Sequence, residues 1–143
     1  IENPSQVRTI RGFVEQLERE GKKVNCLVFT THREAIQELE KAQILSYQDI
    51  TLWGNWKNQA VSRFMSQPFD YLFCLSMHLL PPITYILQHC KAKCRVGIYR
   101  EEHQKFFELM VGTPYFSLEV LSDEILHRSR SIVSVRPQVL VEA

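Results

Sequence analysis

Apolar residues fall at Val7, Ile10, Phe13, Val14 and Leu17, three or four apart, so a helix over 6–20 has one apolar side. Ser5 is placed to cap it, and Gly21 ends the run. The period then changes. Val24-Asn25-Cys26-Leu27-Val28-Phe29 is a nearly unbroken apolar run, too short for a buried helix, and predicts a central parallel strand. Thr31 is placed to cap a helix over 32–41, with Ala35, Ile36 and Leu39 inward and Glu34, Glu38 and Glu40 outward. From 44 to 58 the period is lost, which predicts a connection with a short strand before Trp53.

A second helix, over 57–66, turns Ala60, Val61, Phe64 and Met65 inward and stops at Gln67-Pro68. The next strand covers 70–75, and Pro81-Pro82 opens a helix that ends near Cys90, since proline is tolerated in a first turn. Two further strands are predicted over 93–99 and 106–111, then a turn at 112–114 and a helix over 117–130 carrying Leu118, Leu121, Ile125 and Leu126. The tail after Ile132 holds strand-like residues and Pro137, and the pattern gives it no place. Strands alternating with helices predict a three-layer α/β domain with Rossmann-like topology and a mostly parallel sheet.

Length and composition narrow the class. The 143 residues suit one domain spanning 1–143, and 45% apolar with 23% charged residues is ordinary for a globular chain. Seventeen Lys and Arg against sixteen Asp and Glu leave a net charge of +1, which argues against a nucleic-acid partner bound over the whole surface. No apolar run reaches the roughly 18 residues of a membrane span, so none is expected. Cys26 and Cys74 sit inside apolar strands, where a thiol behaves as a small hydrophobe; this fits a reducing compartment and a cytoplasmic location. The opening Ile1-Glu2-Asn3, with no initiator Met, reads as a trimmed piece.

Ligands of an open parallel sheet sit beyond the carboxyl ends of its strands. On that criterion Thr31, His32, Ser76, His78 and Arg100 are the candidate ligand-binding residues, with Thr30, Met77 and Tyr99 on the same rim. No acid is placed by sequence to orient either histidine, so no catalytic set is assigned. His89, Cys90 and Cys94 have loose metal-ligand spacing, but no second pair follows; a helix end and a strand entry is the more economical reading, and no metal is expected. Lys91, Lys93, Arg95 and Arg100 read as a solvated edge beside Glu101 and Glu102. There is no Gly-rich phosphate loop, and no cofactor is expected. Trp53-Gly54-Asn55-Trp56 has two readings: a contact for an unknown protein partner through Trp53 and Trp56, or tryptophans that cover the core.

The segment 67–97 carries two resemblances. Pro68-Phe69-Asp70, the Pro82 helix and Ala92-Lys93-Cys94-Arg95-Val96-Gly97, with FFELMV at 106–111, resemble a small uncharacterised α/β family of Bacteroidota proteins. That likeness implies a domain label without an activity, and a first strand and a Lys/Arg-rich leader upstream of Ile1. More distantly, 70–75 and Arg95-Val96-Gly97 resemble the N-terminal half of heptosyltransferase-type glycosyltransferases, which implies a nucleotide or sugar at the strand ends. The departure lies at the site, where Ser76-Met77-His78 stands in place of an acidic residue and a Gly-containing loop. Together the residues lead us to expect a non-catalytic binding or interaction module, with a glycosyltransferase-related domain as the alternative.

Overall fold

The computed structural model describes residues 4–31, 39, 42–114, 117–129 and 137–142. In chain order the elements are α1 (Pro4–Arg19), β1 (Asn25–Phe29), β2 (Ala42–Leu45), α2 (Gln59–Ser66), β3 (Tyr71–Leu75), α3 (Pro81–His89), β4 (Cys94–Ile98), β5 (Leu109–Val111), α4 (Leu118–Ser129) and β6 (Pro137–Glu142). Short 3-10 turns at Tyr47–Asp49 and Glu101–His103 lie in the connections after β2 and β4. The expected helix over 32–41 falls mainly on residues outside those described, and His32 with it.

The six strands form one sheet in the order β2-β1-β6-β3-β4-β5, with every pairing parallel. Alternation along each strand splits the core into two layers. Cys26, Val28, Phe73, Leu75, Val139 and Val141 face one side with Val7, Ile10, Phe13 and Leu17 of α1 and Leu121 and Ile125 of α4. Leu27, Phe29, Leu72, Cys74 and Leu140 face the other with Val61 and Phe64 of α2 and Ile83, Ile86 and Leu87 of α3. This is a three-layer α/β arrangement of Rossmann-like type.

The side on which each helix lies follows from the direction of its crossover. The β2 to β3 and β3 to β4 connections run toward β5 and carry α2 and α3 on one face. The β5 to β6 connection runs back toward β2 and carries α4 on the opposite face. Reversing direction while keeping one hand of crossover demands this change of face.

Three expectations are corrected, and one gap is filled. Ser5 does not cap α1, because the helix already begins at Pro4, whose fixed φ suits a first turn. The short strand expected between 44 and Trp53 begins ahead of that span, at Ala42–Leu45. It is only four residues long and, as a sheet edge, exposes Gln43 and leaves Ala42 and Ile44 half-buried, so its apolar run is too short to mark it. Phe106 closes a turn and Phe107 follows it, both ahead of β5: the Phe106 N–H donates to the His103 carbonyl at 2.9 Å, and both rings enter the α3-side core. The tail that had no place forms β6, in the middle of the sheet between β1 and β3.

Candidate functional site

With all strands parallel, the residues that follow β1, β3 and β4 gather at one end of the sheet. The connection from β1 runs toward β2 and that from β3 toward β4, so the crevice where the direction of connection switches lies over β1, β6 and β3. Thr31 is exposed after β1, whereas Thr30 is buried, its N–H donating to the Leu45 carbonyl at 2.8 Å. The sheet separates Thr31 from the other rim residues, since β6 lies between β1 and β3 and two strand spacings are about 9.5 Å.

Ser76 is buried, and its Oγ–H donates to the His78 carbonyl, closing the bend between β3 and α3. That bond commits the hydroxyl to shaping the bend, and His78 stands exposed on it. The serine proton is thus directed at a backbone carbonyl, whereas a nucleophilic serine directs it at a base. Arg100 follows β4, next door to β3, and its Nη1 lies 3.5 Å from the Glu102 carboxylate.

His103 joins this group, and the sequence reading missed it. The residue is 5% exposed, faces the Ile98 carbonyl and lies edge-on to Phe107 with ring centres 6.2 Å apart. Burial pushes its pKa below the ordinary imidazole value, and the charges of Arg100 and His78 act in the same direction; Glu102 and the Ile98 carbonyl oppose them. Nothing in the polar run Arg100-Glu101-Glu102-His103 signals a buried side chain, because its burial comes from Phe107 folding back over β4.

The basic edge is largely paired. Lys93 Nζ sits 3.0 Å from Asp70, and Arg95 grips Glu108 through Nε at 3.0 Å and through Nη2, while its Nη1 donates to the Leu87 carbonyl at 2.9 Å. The Arg95 backbone N–H also donates to Glu108, at 2.6 Å, so one carboxylate joins β4 to the approach to β5. The Arg95 hydrogen bond holds the Glu108 carboxyl below the usual carboxylate range. His89 turns back on its own helix, stacked on Tyr85 at 4.1 Å with Nδ1 2.8 Å from the Tyr85 carbonyl, and Cys90 bonds the Leu87 carbonyl. Burial pushes the Cys90 and Cys94 thiols up, and pushes Cys26 up to about 12, away from thiolate chemistry.

The two tryptophans part company. Trp56 is half-buried and edge-on to Phe29 at 6.2 Å, part of the cover over the α2-side core. Trp53 is 90% exposed and Leu52 fully so. They cap a tight turn in which the Thr51 N–H donates to the Asn55 carbonyl at 2.7 Å and the Gly54 N–H to the Thr51 carbonyl at 2.9 Å. Below it Ile50 and Trp56 pair antiparallel, and Gly54 takes the positive φ of 80° that the turn requires. The Ser46–Asp49 capping box fixes the preceding 3-10 turn. No helix among the described residues is long and apolar enough to cross a membrane.

Comparison with curated proteins returns no match, and comparison with solved structures returns none. Residues 1–127, from α1 almost to the end of α4, match a family of unknown function, DUF6913, and the chain belongs to that family.

Proposed function

We propose that the chain is a non-catalytic interaction module that inserts Trp53, with Leu52 beside it, into an apolar pocket on a protein partner. The observation that carries this reading is the 90% exposure of Trp53 on a hydrogen-bonded turn. An apolar side chain that size normally seeks cover, and here the backbone beneath it is already ordered, so binding loses little further entropy. Tryptophan is also the residue most enriched where a few side chains dominate an interface. Residues 50–56 carry no charge, so an anionic lipid surface or a nucleic acid has nothing to grip there, whereas an apolar protein pocket does.

A photo-crosslinking residue at Leu52, in the producing cells, tests the proposal, with the same residue at exposed Gln88 as control. The expected result is a defined protein adduct from position 52 alone, competed by excess unlabelled chain and not by Trp53→Ala. Adducts equal at both positions, adducts only with a second copy, or competition by Trp53→Ala would each overturn it. Trp53→Ala should shift folding stability by no more than about 0.5 kcal/mol, as an exposed site does.

A second reading, a nucleotide or sugar beyond the strand ends, is favoured by the switch in connection direction over β1, β6 and β3. Many unrelated families share such a sheet, so that support is for a place and not for an activity. Saturable thermal stabilisation by a nucleotide or nucleotide sugar, lost in His78→Ala, would favour it over the partner-binding reading.

A further inference from the structure

His103 is the piece that ties the β4–β5 connection to the sheet. It closes the Glu101–His103 turn, and its ring faces the Ile98 carbonyl at the end of β4. Its ring stands edge-on to Phe107, whose own ring lies against Gly97 in the middle of β4. Nδ1 is buried with no hydrogen-bond partner. As a neutral acceptor it is tolerated among apolar neighbours, but on protonation it becomes a second donor with no acceptor. The charged groups acting on the ring are Arg100 and Glu102 from its own connection and His78 from the bend after β3.

We propose that His103 is a proton-operated latch: neutral, it holds the 99–108 connection on β4, and protonated, it lets that connection open and uncovers Phe106 and Phe107. Both rings are buried in the closed form, so opening presents an apolar surface that the closed form lacks. The sign follows from linkage. The closed form disfavours the proton and the open form carries an ordinary imidazole near 6.5, so closure is complete above 6.5 and weakens as pH falls from there toward the lower closed-state value.

Amide hydrogen exchange of the full chain between about pH 7.5 and 5, corrected for intrinsic rates, tests the latch across the imidazole range. The expected result is loss of protection over 99–111 below pH 6.5 while the amides of α1 stay protected. His103→Gln keeps a polar side chain at this position without a titration, and should abolish the pH dependence. Glu102 is exposed, so Glu102→Gln leaves packing intact, and by removing a charge that favours protonation of the closed form it widens the gap to the open form and should deepen the loss of protection at a given acidic pH. A wild-type chain with no loss, an unchanged loss in His103→Gln, or a loss that Glu102→Gln does not deepen would overturn the proposal. Should His103→Gln fail to fold, the comparison of Glu102→Gln with the wild type decides alone.

Discussion

Replacing Gly97 by alanine sets two opposing effects against each other, and the structure says which should win. A Cβ on Gly97 would stand 2.5 Å from Cε2 and 2.6 Å from Cε1 of Phe107, and closer still to Cζ. Carbon atoms in contact prefer about 3.5–4.0 Å, so the ring must move by roughly an ångström or leave. Phe107 is only 7% exposed and is held by His103 and the α3-side core, so a small shift meets other atoms. Overpacking of this kind costs about 1–3 kcal/mol. On the other side, no positive φ is needed at Gly97, so alanine stiffens the unfolded chain at no conformational penalty and returns about 0.4–1 kcal/mol. The net expectation is a loss of about 1–2 kcal/mol, seen in urea unfolding followed by circular dichroism, or as a fall in Tm of about 2–8 °C for a chain this long. A double-mutant cycle isolates the cause. Phe107→Ala alone should cost about 3–5 kcal/mol, and in that background Gly97→Ala should turn mildly stabilising because the clash has gone. If Gly97→Ala costs the same with and without the Phe107 ring, or costs nothing in the wild type, the argument from close approach is wrong.

Two further outcomes follow from the packing. Glu108 has its pKa lowered chiefly by Arg95, so its contribution is present above the ordinary value of 4.5 and is lost as pH falls through the folded value. Arg95→Met should accordingly flatten the acid limb of the stability–pH curve while leaving its shape above pH 6 unchanged, as measured by urea midpoints, and because the pair is partly exposed the pairing itself should be worth no more than about 1 kcal/mol. Deleting 137–142 removes β6, whose Val139, Leu140 and Val141 are each fully buried and worth about 1.5–3 kcal/mol apiece. That loss rivals the roughly 5–15 kcal/mol that holds a domain together, so the shortened chain should lose cooperative thermal unfolding. A sharp transition near the wild-type Tm would refute the central placement of β6.

Local periodicity was enough to find α1, α3, α4, β1, β3 and β4 within a residue or two, because each buries a face that its own spacing announces. Val7, Ile10, Phe13 and Leu17 lie on one stripe of a helix, and the runs at 25–29 and 71–75 are apolar on both faces, as strands covered on both sides must be. The alternation of elements also determined the α/β class and the parallel sheet. What it could not supply was strand order. β6 pairs Gln138 with Asn25 on one side and with Leu72 on the other, contacts that join positions remote along the chain, and no local pattern encodes which slot a strand enters. The matched family region, 1–127, likewise stops before that strand. The candidate site divides in the same way. Parallel strands alone imply that Thr31, Ser76, His78 and Arg100 share an end of the sheet, but only the fold distinguishes the half-buried Trp56 from the exposed Trp53, and only Phe107 lying on Gly97 carries a polar residue such as His103 into the interior. Residue type and spacing fix what an element offers to bury; which partner buries it is decided by contacts distant in sequence.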